Sequence, residues 1–184
     1  MLLDLIVSLI SVAAVAQHVW ALRGHFVSER MEAGAKAISA MVVATSVIYL
    51  VLTWWLDSPA WAQIAGLVIE LASLALFWAA VRESRRARLR YAFDAEGPET
   101  LLVTGPYRLV RHPFYTSYIL FWAGWALATA SVWALIPLAA VTGLYLQAAR
   151  HEERLFAGTP MAEAYAAYRA RTGLFWPKLG GTES

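Results

Sequence analysis

The fifteen basic residues of this 184-residue chain fall in three segments, residues 23–36, 82–112 and 150–184, and the long apolar stretches between them carry none. Those stretches, 2–22, 37–56, 60–81, 114–130 and 132–149, are each near the ~20 residues that a hydrocarbon core demands of a helix. Five crossings put every basic segment on one side of a membrane. The other side receives the amino terminus, the turn Asp57-Ser58-Pro59 and the turn Thr129-Ala130-Ser131. The positive-inside rule then predicts an all-α integral-membrane bundle of five transmembrane helices. Its amino terminus is outside, and a cytoplasmic helical segment follows the last span. Residues 1–184 form a single membrane domain, three amino-terminal spans over 1–81 and a chemically richer half over 82–184.

Composition agrees with a chain whose solvent is partly lipid. It is 60% hydrophobic and only 15% charged, against ~25% charged for an ordinary soluble domain. The absence of cysteine excludes disulfides, iron–sulfur clusters, thiolate zinc sites and a cysteine nucleophile. A net charge of +2 gives no footing for nucleic acid. The four histidines show no metal spacing, so no metal is expected. Met1–Ala16 lacks a basic leader and bears Asp4, which argues against a cleaved signal peptide. Trp54, Trp55, Trp61 and Trp133 are expected at the outer interface, Trp20 and Trp78 at the inner one. Thirteen Arg against two Lys, with abundant Ala, suggests a bacterial source and hence an inner membrane.

Side-chain chemistry gathers in two places on the basic side. The arginine run from Arg82 to Arg90 suits a stop-transfer anchor held by anionic lipid, and Gly97-Pro98 breaks the chain after it. Then comes Thr104-Gly105-Pro106-Tyr107-Arg108-Leu109-Val110-Arg111-His112-Pro113-Phe114-Tyr115. Gly105-Pro106 predicts a turn, and Pro113 suits the first position of the fourth membrane helix, where its missing N–H is not needed. The helix start, flanked by Arg108, Arg111 and His112, suits a bound carboxylate or phosphate; it equally suits an interfacial anchor with snorkelling arginines. The second cluster, Arg150-His151-Glu152-Glu153-Arg154, follows the fifth span. Glu152 and Phe156 share a helix face, as do Tyr165 and Tyr168 on a following amphipathic helix. The glutamates suit either a binding site or a solvated face in which Glu153 pairs with Arg150.

Gly-Pro-Tyr-Arg-x-x-Arg-His-Pro-x-Tyr, a short helical hairpin, Glu-Glu, Tyr-x-x-Tyr and a terminal Phe-x-Pro, in this order, resemble the isoprenylcysteine carboxyl methyltransferase family. They are also similar to the wider group of small membrane methyltransferases that includes phospholipid N-methyltransferases. The resemblance spans residues 101–179, and the first three spans match only as spans. It implies an S-adenosylmethionine-dependent methyltransferase with its cofactor pocket in the half 82–184, open to the cytoplasm, and a lipophilic acceptor arriving from the bilayer. By resemblance, Arg111, His112, Pro113, Tyr115, Glu152, Glu153, Tyr165 and Tyr168 bind the cofactor. Arg171, Arg108 and Glu153 are the candidates for orienting or deprotonating the acceptor. Ser117 departs from the family, many relatives having glycine there, and Gly124 and Gly143 do not replace it in register. Prenylcysteine carboxylate, phospholipid amine and a hydrophobic thiol all suit a cavity walled by Trp and Leu. A membrane reductase using a nicotinamide nucleotide and a non-enzymatic lipid-binding protein are the other classes this chain admits, though no glycine-rich phosphate loop supports the first.

Glu70 lies at the middle of the third span, where an ionisable group is costly. It is expected to be protonated and hydrogen-bonded across the bundle. Gln17 and His18, near the cytoplasmic end of the first span, suit interhelical hydrogen bonding or an approach to the pocket.

Overall fold

A computed structural model describes residues 1–25, 33–86 and 101–178. The arginines Arg88 and Arg90 and the break at Gly97-Pro98 lie outside the described residues. Long runs without internal proline or paired glycine give α1 (Leu2–His25), α2 (Ala33–Trp55) and α3 (Ala60–Arg86). Proline then marks the starts. Pro59 precedes α3, and Pro113 occupies the first turn of α4 (Pro113–Ala128), which its fixed φ favours. A 3-10 turn, Val132–Ala134, leads into α5 (Leu135–Ala157), and α6 (Ala162–Arg171) follows. The tight turn between α4 and α5 puts Ala130 at φ 48°, an uncommon conformation for a residue with a Cβ.

Among the described residues, four helices are long and apolar enough to cross a membrane, over Leu2–Trp20, Ala37–Trp55, Ala60–Arg85 and Val132–Phe156. The stretch 114–130 differs. Its helix, α4, has 16 residues, about 24 Å at 1.5 Å per residue, short of the ~30 Å hydrocarbon core.

What α4 lacks in length it has in contacts. Its apolar residues run all round the cylinder, the pattern of a helix surrounded by others. Tyr118 and Phe121 face His18 of α1, Trp122 and Trp125 meet Tyr49 of α2, and Trp122 donates to Tyr145 of α5 at 3.2 Å. Against α3 the approach is backbone to backbone. A Cβ on Gly66 would lie 2.4 Å from the Gly124 carbonyl oxygen, and one on Gly124 would lie 2.8 Å from that of Gly66. Glycines let membrane helices approach this closely. Ser117 is fully buried, its hydroxyl turned back to the Phe114 carbonyl at 2.7 Å. Gly143 faces open space. Gly66→Ala is expected to cost about 1–3 kcal/mol through overpacking, measured by chemical unfolding in detergent; unchanged stability would mean that the helices part freely.

The two ends of the bundle differ as the charge pattern anticipates. At one end Gln63 donates to Asp4 at 2.5 Å, Ser58 to the Thr129 carbonyl at 2.8 Å and Tyr49 to the Ala134 carbonyl at 2.9 Å. Trp54, Trp55, Trp61 and Trp133 are exposed there. The opposite end gathers the end of α3, the segment 101–112, the end of α5, α6 and the tail to residue 178.

Candidate functional site

The site begins with a glycine. Gly105 has φ +56°, and a Cβ on it would lie 2.5 Å from Glu83 Cγ, so a larger residue would strain the 3-10 turn Gly105–Arg108 and displace the Glu83 side chain at the end of α3. Thr104 secures the same place by donating its hydroxyl to Glu83 at 2.9 Å. The chain then runs alongside the tail, in a parallel bridge between Val110 and Gly173. Arg111 N donates to the Gly173 carbonyl at 2.9 Å and His112 N to that of Leu174 at 3.2 Å. His112, at φ −124° and ψ 66°, caps α4, and Pro113 begins it. Arg111 and His112 are thus held between a helix start and a docked tail.

Their side chains meet α5 and α6. Arg111 Nε donates to Glu153 at 2.6 Å, with both side chains under a tenth exposed, and its Nη1 donates to the Thr172 carbonyl. Glu153 also accepts from Tyr165 at 3.1 Å, and Arg169 stands 4.0 Å away. Glu152, one residue earlier and further round the helix, accepts from Tyr115. His112 stands between the two carboxylates, Nδ1 3.5 Å from Glu152 and Nε2 3.6 Å from Glu153. At that distance Nε2 has no hydrogen-bond partner among the described residues, although it is buried. Tyr115 stacks on Tyr145 with centroids 5.7 Å apart, and Tyr165 lies flat on Phe156 at 4.4 Å.

Electrostatics follow from that placement. Burial by itself would push the His112 imidazole down, but Glu152 and Glu153 outweigh it and hold the group above the ordinary histidine value. Burial pushes the Tyr168 hydroxyl up to about 12 against the opposing pull of Arg111, and burial beside Glu153 raises Tyr165. A raised folded-state value means that the stabilising charge is fully present below the unfolded pKa of ~6.5 and is lost as pH rises through the folded value. Wild-type protein is therefore expected to hold a thermal advantage over His112→Gln at about pH 6 that shrinks toward pH 9. Parallel melting curves across that range would contradict a charged His112.

The site residues expected from the sequence fall into two neighbouring groups. Arg111, His112, Tyr115, Glu152, Glu153 and Tyr165 form the buried cluster, with Pro113 fixing the helix start. Arg108 and Arg171 instead flank a separate cleft of ≈ 380 Å³ with Val103, Tyr168 and Thr172. Neither arginine pairs with a carboxylate among the described residues. Tyr168 joins the two groups: it lines the cleft, and its hydroxyl donates to the Tyr107 carbonyl at 2.6 Å. Glu153 does not form the local pair with Arg150 that a solvated face requires. Sequence reasoning missed Thr172 and Gly173, whose contributions are a backbone carbonyl and a missing Cβ. A Thr-Gly pair between a helix and a Phe-x-Pro was the only available signal.

The family description phospholipid methyltransferase matches residues 61–166, more than half of the chain. The match takes in α3, Arg108, the Arg111–Tyr115 element, both glutamates and Tyr165, and stops short of Tyr168 and Arg171. It reaches further toward the amino terminus than the 101–179 of the motif resemblance. Among curated proteins, the cobalt-zinc-cadmium resistance protein CzcN of Cupriavidus metallidurans is 31% identical over 127 residues, 69% of this chain and 53% of that protein. The chain thus spans about half the length of the curated relative it matches. No solved structure matches.

Proposed function

The chain belongs to the phospholipid methyltransferase family, the group of small membrane methyltransferases that includes the isoprenylcysteine carboxyl type, and from that premise we propose that it transfers a methyl group from S-adenosylmethionine to a lipid-soluble acceptor. The observation that carries this is the buried Arg111–His112–Glu152–Glu153 cluster, in which a histidine nitrogen is left without a partner. Unpaired buried polar atoms are uncommon in folded proteins, and a functional site is one cause of them.

The donor set fits the cofactor. Glu152 and Glu153 are acceptors for ribose hydroxyls or the amino group, Arg111 is a partner for the carboxylate, and Tyr165 with Phe156 offers aromatic faces for the base. When bound, the cofactor supplies an activated methyl group on a sulfonium. The protein's own task is alignment, since a direct displacement depends on holding nucleophile and methyl in line. Tyr115 and Arg111 fix the two carboxylates, His112 separates them, and Pro113 and the docked tail fix His112. Arg108 and Arg171, exposed and without carboxylate partners among the described residues, are suited to an anionic part of the acceptor. In this proposal α4 is a fifth, protein-enclosed crossing, residues 82–112 and 150–184 are cytoplasmic, and the amino terminus is outside, in a bacterial inner membrane.

Isothermal titration of the purified protein in detergent with S-adenosylmethionine, its demethylated product and NADPH tests the cofactor. Binding of the first two at micromolar concentration is expected, with loss in both Glu152→Ala and His112→Ala. Binding of NADPH alone, or of neither methyl-cycle compound, removes the proposal. Wild-type affinity in both variants removes the assignment of the site.

A further inference from the structure

The cleft of ≈ 380 Å³ between the 3-10 turn Gly105–Arg108 and the end of α6 is lined by two guanidinium groups, those of Arg108 and Arg171, and by no carboxylate. Both arginines are exposed, and neither has a hydrogen bond or an ion pair among the described residues. An arginine in the last turn of a helix ordinarily serves the orphan carbonyls there. In α6 other groups already do so. The Tyr168 carbonyl accepts from Thr172 N at 3.1 Å and from Thr172 Oγ1 at 2.7 Å. Lys178 Nζ donates to the carbonyls of Arg169 at 3.1 Å and Ala170 at 2.6 Å, and Arg111 takes that of Thr172. Arg171 is left to the cleft.

The two elements that bear these charges are also the two whose contact positions Arg111 and His112. Tyr168 Oη donates to the Tyr107 carbonyl at 2.6 Å, Gly173 N to the Leu109 carbonyl at 3.3 Å and Arg111 N to the Gly173 carbonyl at 2.9 Å. Arg108 immediately precedes Leu109, and Arg171 precedes Thr172-Gly173. Like charges that share a cleft repel, and here the repulsion bears on the seam that docks the tail. An anion held by both guanidinium groups turns that repulsion into attraction.

We propose that this cleft binds the phosphate of an anionic membrane lipid, and that its occupancy tightens the cofactor site by drawing the end of α6 and the 3-10 turn together. The planar fork of arginine is matched to phosphate oxygens. The lipid is anionic overall, because a zwitterionic head would bring its ammonium into a cleft that already holds two cations. Val103, which lines the cleft, is 36% exposed, and Leu109, next to Arg108, is 59% exposed. That apolar surface suits an acyl chain and adds nothing for a free anion. Such a lipid need carry no atom that accepts a methyl group; its part is to hold the tail in place. The coupling rests on the methyl-transfer function proposed above, and the lipid site does not.

The test uses the full chain in dodecyl maltoside micelles doped with dioleoylphosphatidylglycerol. The other arms are dioleoylphosphatidylcholine at the same mole fraction and inorganic phosphate at matched ionic strength. Phosphatidylglycerol is expected to lower the Kd for S-adenosylmethionine about fivefold or more, within the ordinary range of coupling between sites, and to raise Tm; the other two arms are expected to do neither. Arg108→Gln and Arg171→Gln, on different elements, are each expected to lose the tightening and to retain less phosphatidylglycerol by native mass spectrometry. Arg171→Lys, which keeps the charge without the fork, should keep part of both effects. An equal effect of phosphatidylcholine or of free phosphate overturns the assignment to an anionic lipid. Wild-type lipid retention in both Gln variants overturns the site, and retention without any change in cofactor affinity overturns the coupling. A wild-type protein that binds no S-adenosylmethionine in any arm overturns the function beneath it, while lipid retention and Tm still decide the site.

Discussion

Gly173→Ala is expected to abolish S-adenosylmethionine binding and to lower methyl transfer at least ~100-fold, the scale of an ångström-sized misplacement in an active site. The helices should survive unchanged. A Cβ at this position would lie 1.6 Å from the Trp176 carbonyl oxygen and 2.8 Å from its carbon. Both are backbone atoms, so no rotamer change relieves the clash and the turn after residue 172 must open. With it go the bonds from Arg111 N to Gly173 and from His112 N to Leu174, and the Thr172 carbonyl that Arg111 holds. None of these bonds involves α1, α2 or α3. Titration calorimetry beside far-ultraviolet circular dichroism separates the two effects, and a variant with native helicity and native affinity would show that the tail is dispensable to the site.

Arg111→Ala is expected to destabilise the protein by about 3–5 kcal/mol, the usual cost of stranding one member of a buried ion pair. Glu153, with its side chain only 9% exposed, would keep Tyr165 and the nearby His112 but lose its shortest contact. An apolar pair in the same space avoids the stranded charge. The double variant Arg111→Met, Glu153→Leu is therefore expected to recover most of the stability and none of the activity. Denaturant unfolding in mild detergent gives the first quantity and radiolabelled methyl transfer the second. A single variant as stable as wild type would show that water reaches Glu153.

Much of this was legible in the chain, and the part that was not has definite physical causes. Apolar length and the positions of arginine carry the helices and the two unlike ends, because burying charge in lipid is prohibitive. Pro113 marks the start of α4 through its own covalent geometry. The resemblance in Arg111-His112-Pro113-x-Tyr115 and Glu152-Glu153 anticipated that segments some forty residues apart belong together. Pairing is a different matter. Arg150 and Arg111 are equivalent cations on paper, and only the docked tail makes the distant one the partner of Glu153. Gly124 lies in a helix whose apolar residues run all round, where no periodicity tells one face from another. Ser117 drew attention by its departure from relatives, yet the glycine-to-glycine contact with α3 is at Gly124, two turns further along.

The helices of the bundle are unequal. α3 has 27 residues and α5 has 23, against 16 in α4, so about 40 Å and 35 Å of helix flank about 24 Å. Since α3 and α4 are pinned together near the opposite end by Gly66 and Gly124, the excess of α3 stands up beyond Pro113, where its Glu83 meets Thr104. Arg111 and His112, next to Pro113, consequently lie below the end of α3 and not level with it. Pulling a lipid chain into water costs about 0.8 kcal/mol per CH₂, on the order of 14 kcal/mol for eighteen carbons. With the lipid-soluble acceptor proposed above, a site set below the end of α3 leaves the acceptor's apolar chain dissolved in the bilayer during the reaction, so that expense stays out of the barrier.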